Sequence, residues 1–264
     1  MLDTIKTIGL NIINGINNLA FNFSGKTKYN HKELEVLRNI HLGKRCFLVC
    51  NGPSLKANDL TKIHKNGDIS FAANKIDKIF PNTPWRPTYY SVFDTKFQRT
   101  LLKTMQNIDC ECQFYRTDSF LTTRKIKNKQ VLWLNTDGNR QYLEKPEFSE
   151  NITDVVYTIG TVTYVSLQLA VYMGFKQIFI IGCDNSYGIE RLKDGTIINH
   201  NKASYFAGAS DKDNKTIIGA TWEMNIAYEY ARKYADEHGI KIFNATRGGY
   251  LEAFERVDFD SLFS

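Results

Sequence analysis

Cys46-Phe47-Leu48-Val49-Cys50-Asn51-Gly52-Pro53-Ser54-Leu55 decides how the rest of the chain reads. Five apolar residues run together and stop at Asn-Gly-Pro-Ser. A short, continuous apolar run bounded by turn residues is the pattern of a strand buried on both faces of a parallel sheet. In open α/β sheets, ligands bind beyond the carboxyl ends of the strands, where loop amides and helix N-termini meet anions. The turn has what such a site uses. Gly52 permits close backbone approach, Pro53 stiffens the loop, and Asn51 and Ser54 carry short hydrogen-bonding side chains. Taken alone, the same four residues also describe an ordinary strand-to-loop turn.

Outward from this stretch, strands and helices alternate. Residues 58–65 suit a helix. Asp68–Ala73 reads as a strand ending at Asn74, and Thr88–Phe93 as a strand ending at Asp94. A helix at 95–106 and strands at 111–115 and 131–134 follow. Three successive strands thus end in a polar residue, Asn51, Asn74 and Asp94, and in a parallel sheet those ends share one edge and converge on one crevice. Downstream, Gly160-Thr161-Val162-Thr163 opens a helix through Met173, Gly174 supplies its C-cap, and Ile178–Ile181 is a strand ending at Gly182-Cys183-Asp184. Thr161 or Thr163 can cap the helix and leave amides for a phosphate. A polar stretch to about residue 215 holds Tyr187, His200, Ser204 and Tyr205. It is long for a connection, which favours a lid or binding loop. A helix at 219–237 and a strand at 240–243 complete the pattern.

Composition bounds the function classes. With 264 residues, an apolar share of 42%, 14 Tyr and 17 Phe, the chain can bury a large core. No apolar run reaches the roughly 18 residues that span a bilayer, and no signal-peptide pattern opens the chain, so a cytoplasmic location is expected. The five cysteines fit small buried residues, and Cys110 and Cys112 lack a second pair at zinc-like spacing. The net charge of +6 is spread along the chain, with a basic run at Arg124–Lys129 that suits anionic lipid, nucleic acid, a phosphorylated substrate or a plain solvated loop. No nucleic-acid module is evident. Leu2, Ile5, Ile8, Ile12, Ile16 and Leu19 recur at helical spacing, interrupted by Gly9 and Gly15. This amphipathic helix suits packing on its own domain or on another subunit. Its Asn-rich polar face weakens, without removing, peripheral membrane association. Residues 24–32 read as a linker, giving an N-terminal helix and linker at 1–43 and a Rossmann-like domain at 44–264.

Three segments carry a family resemblance. Cys50–Leu55, Phe71-Ala72-Ala73-Asn74 and Met173–Asp184 together resemble the bacterial family 42 sialyltransferases. They resemble more closely the motility-accessory-factor-like glycosyltransferases, which share a domain type with archaeal hydroxymethylpterin pyrophosphokinases. Asn244-Ala245-Thr246-Arg247-Gly248-Gly249-Tyr250-Leu251-Glu252 looks like the C-terminal signature of the same group. The resemblance spans about residues 44–259. It implies a modified Rossmann-like, mostly parallel α/β sheet with a lid-like loop, and a CMP-activated sugar donor, such as a nonulosonate. By that resemblance Asn51, Gly52, Pro53, Ser54 and Asn74 hold the donor nucleotide, together with Gly160, Thr161, Gly182, Asp184 and Ser204, while Tyr187 and Tyr205 stabilise the leaving phosphate.

Two departures matter. The sialyltransferases carry a histidine base immediately before the loop tyrosine, where this chain has Ser204 before Tyr205. His200, four residues earlier, is one candidate base. Asp94, where the sialyltransferases carry Asn, is the other. The expected reaction is an inverting displacement by a glycan or glycolipid hydroxyl, in capsule, lipopolysaccharide or other surface-glycan synthesis. Asp211-Lys212-Asp213 and Asp258-Phe259-Asp260 spell a metal motif but lack its strand context, so no obligatory metal is expected. Two rivals stand beside this reading: a Mg²⁺-dependent ATP pyrophosphokinase using Asp94 and Asp184, and a non-catalytic nucleotide-sugar-binding subunit.

Overall fold

The apolar run becomes the centre of a sheet. The computed structural model describes residues 2–127, 130–206 and 217–263. In it, β1 (Arg45–Val49) lies between β2 (Ile69–Ala73) and β8 (Gln177–Ile181), with Cys46 in register with Ile69 on one side and Ile178 on the other. Both faces of β1 are covered. Cys46 and Leu48 join one apolar cluster, Phe47 and Val49 the other, as side-chain alternation along a strand requires. The strand is therefore apolar at every buried position instead of alternating.

The main sheet has eight strands in the order β13-β12-β8-β1-β2-β3-β4-β5, and each of its pairings is parallel. The further members are β3 (Tyr89–Ser91), β4 (Cys112–Arg116), β5 (Val131–Leu134), β12 (Lys241–Asn244) and β13 (Glu255–Arg256). The chain winds outward from β1 to β5 and then returns to the far side of β1. The strand order therefore reverses between β1 and β8, which is where open α/β sheets form their ligand crevice.

Helices cover both faces. On one side lie α7 (Val162–Tyr172), which is buried almost all round, and α8 (Thr221–Glu237). On the other lie α3 (Ala57–Lys65) and α5 (Leu102–Asn107), with Phe259 from the C-terminus. α7 ends as its sequence suggests. Gly174 takes φ 88°, its N–H donates to Val171 O, and the Phe175 N–H reaches back to Ala170 O, satisfying two orphan carbonyls.

Three local expectations change, and one strand pair has no counterpart in the sequence reading. The interval at 24–32 is no linker: α1 (Leu2–Asn22) turns into α2 (Thr27–Val36), and Phe21, Leu34 and Leu37 belong to the same two apolar clusters as the sheet. The helix at 95–106 breaks at Leu101 into α4 (Thr95–Thr100) and α5. The polar stretch after Asp184 contains β9 (Ile189–Arg191) and β10 (Ile197–Asn199), which form a small sheet with β11 (Ile218–Gly219) just before the following helix; these two- and three-residue strands are too short to show a period. A two-stranded pair, β6 (Thr136–Asp137) and β7 (Val156–Tyr157), flanks the carboxyl edge of the main sheet. Asp211-Lys212-Asp213 falls outside the described residues. In Asp258-Phe259-Asp260, Phe259 is a buried core residue, and Asp260 pairs with Arg247 and Lys62, which hold its carboxyl well below the usual range.

α2 also protects the sheet edge. The buried Asn30 side chain donates to Trp133 O at 2.8 Å and accepts from Trp133 N at 2.7 Å, pairing with β5 as a neighbouring strand would. Asn30→Ala leaves both groups unpaired in a buried place. The expected loss is about 2–4 kcal/mol, read as a lower denaturant midpoint at unchanged slope. An unchanged midpoint would mean that water replaces the carboxamide there.

Candidate functional site

The loop after β1 is held to the end of β8. Cys50 N–H donates to Ile181 O and Gly52 N–H to Gly182 O. The Asp184 Oδ2 then accepts from Ser54 N at 3.2 Å and Ser54 Oγ at 2.8 Å. This closeness needs a glycine at 52: a Cβ there would lie 2.0 Å from Asp184 Oδ2 and 2.6 Å from Gly182 O. The C-terminal signature fixes the other side of the same turn. Thr246 Oγ1 accepts from Cys183 N at 3.2 Å, Tyr250 N donates to Asp184 O at 2.8 Å, and Asn244 holds that loop by bonds to Thr246 N and Leu251 O. Ser54 and Asp184 thus engage each other and build the loop.

Over these strand ends opens a cleft of about 1170 Å³. Of the residues singled out from sequence, it brings together Asn51, Gly52, Asn74, Asp94, Gly160, Thr161, Gly182, Asp184, Tyr187, Ser204 and Tyr205. Pro53, Ser54 and His200 do not line it. Asn51 Nδ2 donates to Ala73 O at 3.0 Å, stitching β1 to β2, while its Oδ1 is buried with no partner among the described residues. Asn74 repeats the arrangement one strand further. It sits in the left-handed region at φ 58°, its N–H donates to Ser91 O, its carbonyl accepts from Tyr90 Oη at 2.6 Å, and its Oδ1 is likewise buried without a partner there. Two adjacent strand ends therefore each present a carboxamide acceptor that no described residue satisfies, an expensive arrangement unless a donor is supplied to it.

The amino end of α7 reaches the same cleft through Thr161, Val162, Thr163 and Ser166. Thr161 is its N-cap, with Oγ1 accepting from Thr163 N at 3.2 Å. The uncapped amides and the helix dipole make this end favourable for an anion.

The polar segment closes over one side. Ser204 is buried, and its Oγ accepts from Gly188 N at 2.9 Å. Tyr205 is buried with Lys75 Nζ 5.5 Å from its ring centre, and Phe206 N donates to Asn51 O, which fastens the segment to the end of β1. Tyr187 donates its phenol to Met224 Sδ at 3.5 Å. Burial pushes its pKa far up, so it stays a protonated donor. His200 is placed differently from its sequence expectation. It follows β10 on the outer part of the small sheet and its Nε2 lies 3.2 Å from Glu190 Oε2, so the geometry does not bring it to the cleft. Asp94 does line the cleft, with Oδ1 accepting from Phe97 N at 3.1 Å at the start of α4.

Several lining residues escape the sequence reading: Asn11, Asn14 and Asn18 of α1, the Arg116–Asp118 ion pair, Thr136 and Asp137. The Asn residues carry a legible signal, since spacings of three and four place them on one helix face. The others come from short elements whose direction only the fold sets. Gly52→Ala forces Asp184 away from Ser54. The expected outcome is a melting temperature several degrees lower with far-UV circular dichroism retained. A variant melting with the wild type would show that the loop can retreat from Asp184.

Comparison with known proteins agrees with this architecture. No curated protein sequence gives a match. The solved structure of an MAf glycosyltransferase from Magnetospirillum magneticum AMB-1 superposes with a TM-score of 0.52 at 12% identity, over 83% of this chain and 34% of that one, a likeness of fold. This chain spans about a third of that protein's length. A family model described as 6-hydroxymethylpterin diphosphokinase MptE-like matches residues 14–190, which contain β1 through β8 and both sides of the switch point. The chain belongs to that MptE-like family.

Proposed function

We propose that this protein is a glycosyltransferase of bacterial surface-glycan synthesis that moves a sugar, a nonulosonate, from a CMP-activated donor to a glycan hydroxyl with inversion. The observation that carries the reading is the pair of carboxamide oxygens of Asn51 and Asn74, without a partner among the described residues, beside the amino end of α7, in a cleft roomy enough for a donor and an acceptor. Neutral acceptors suit the hydroxyls of a ribose and the exocyclic amine of a cytosine, and a helix amino end suits a single phosphate. The fold of the neighbouring MAf glycosyltransferase accords with this reading.

In the proposed reaction the acceptor hydroxyl attacks the anomeric carbon. Its oxygen forms the new bond while its proton passes to the Asp94 carboxylate. The bond from carbon to phosphate oxygen breaks, and the electron pair leaves on CMP. The α7 amides and the tyrosine hydroxyls stabilise that charge. The tyrosines in question are Tyr205, fastened over β1, and Tyr187, whose phenol meets Met224 Sδ. Asp94 takes the base role here because His200 lies away from the cleft against Glu190.

A second reading rests on the description of the matched family: pyrophosphoryl transfer from ATP. Mg²⁺ in that chemistry is held by one or two carboxylates together with substrate phosphates, and Asp94 and Asp184 would be those carboxylates.

Calorimetric titration with CMP, CDP, UDP, GDP and ATP, each with EDTA and with Mg²⁺, separates the two. CMP binding that survives EDTA is expected, whereas Mg²⁺-dependent ATP binding would overturn the transferase reading. Asn51→Ala should weaken CMP binding about 5- to 30-fold, the cost of about 1–2 kcal/mol of lost hydrogen bonding. With a competent donor and acceptor, Asp94→Asn should keep nucleotide affinity and lower kcat by about 10²–10⁴, and His200→Ala should turn over normally. Loss of turnover in His200→Ala alone would return the base to His200.

A further inference from the structure

We propose that α1 docks this protein on an anionic lipid surface. The helix has three faces with different neighbours. Asn17 and Phe21 pack inward: Asn17 Oδ1 accepts from Leu121 N at 2.9 Å, and the Phe21 ring lies 5.3 Å from Phe120 and 6.0 Å from Trp133. Asn11, Asn14 and Asn18 line the cleft. The remaining face is apolar and open. Ile12, Ile13, Ile16 and Leu19 are 58, 44, 52 and 57% exposed, and Phe23, just beyond the helix, is 86% exposed. Of the large apolar side chains left exposed among the described residues, Leu10, Ile12, Ile13, Ile16 and Leu19 lie on this one helix and Phe23 directly after it.

Charge selects the occupant. No residue from Gly9 to Phe23 is ionisable, so submerging this stripe desolvates no charge. The charges stand at its margin. Lys26 and Lys28 follow the helix and are exposed. α6 (Phe120–Thr123), which packs on α1, leads directly into the exposed Arg124, Lys125 and Lys127. An apolar stripe with a cationic margin matches the acyl boundary and anionic headgroups of a bilayer. A second copy fits less well, because a twofold interface on this stripe would set the same cations against each other. No helix among the described residues is long and apolar enough to cross a membrane, so the contact is with the surface. Because the same helix lines the cleft, docking would carry the cleft mouth to the lipid–water boundary and make the acceptor a lipid-linked glycan. That last step rests on the transferase reading; the docking does not.

The test is sedimentation of the full chain with phosphatidylcholine vesicles, with and without phosphatidylglycerol, at low and high salt. Binding to the phosphatidylglycerol vesicles that weakens with salt is expected. Ile12→Asn with Ile16→Asn and Leu19→Asn should weaken it at least about tenfold, with melting temperature and nucleotide binding retained. Phe23→Ser, at a site beyond the helix, provides a second variant with the same expected direction. Wild-type protein that stays in the supernatant with both vesicles would overturn the proposal. So would equal binding by both variants, or a concentration-dependent dimer that the triple variant abolishes while vesicles are ignored. Loss of nucleotide binding in the titrations above, with vesicle binding intact, would count against the transferase reading alone.

Discussion

The Asp184 carboxylate accepts two hydrogen bonds from Ser54, and it can do so only because residue 52 has no Cβ to occupy the space between them. This contact joins the ends of β1 and β8 at the point where the strand order reverses. Most of the site is built outward from it. The turn after β8 is fixed from behind by Thr246 and Tyr250, and the loop after β1 is fixed in front by its pairing with Gly182. The C-terminal signature therefore acts by positioning: its Asn, Thr and Tyr hold the backbone that carries Asp184. A crevice at a switch point is otherwise an open gap where the connections after two neighbouring strands part, and this lock turns it into a wall of fixed geometry.

On that wall the fold leaves its polar groups unevenly satisfied. Asn51 and Asn74 each use part of their hydrogen-bonding capacity to stitch one strand end to the next, and each retains a buried oxygen with no partner among the described residues. Buried acceptors of this kind cost stability unless something donates to them. Their placement beside the amino end of α7 combines neutral acceptors with a region that favours negative charge, the two requirements of a nucleotide. The segment through Ser204 and Tyr205 is fastened to Gly188 and Asn51, so the wall it forms is tied to the strand ends it covers.

The N-terminal helices do several jobs with short polar side chains. Asn30 closes the edge of β5, Asn17 receives the Leu121 amide, and Asn11, Asn14 and Asn18 face the cleft. Asparagine serves each use because its carboxamide both donates and accepts without carrying charge. α1 also leaves Ile12, Ile13 and Ile16 exposed, so a cleft wall and an apolar surface share one element.

Much of this was legible in the sequence. The run Cys46–Cys50 reads as a doubly covered strand because burial on both faces removes alternation, and the polar ends at Asn51, Asn74 and Asp94 share an edge because parallel strands point the same way. α7 was readable from its cap residues at Thr161 and Gly174. The sequence could not place side chains whose direction depends on distant packing. His200 and Tyr205 are five residues apart in one polar stretch, yet the first faces Glu190 on an outer sheet and the second is held over β1 by the Phe206–Asn51 bond. Residues 24–32 look like a linker by composition, and only the unpaired edge of β5 gives Asn30 a reason to sit in a helix. Local pattern thus determined seven of the eight strands of the main sheet, the principal helices and the edge on which the site lies. Tertiary structure decided which polar residues meet there, because contacts between residues more than a hundred positions apart, such as Ser54 with Asp184, leave no period in the chain.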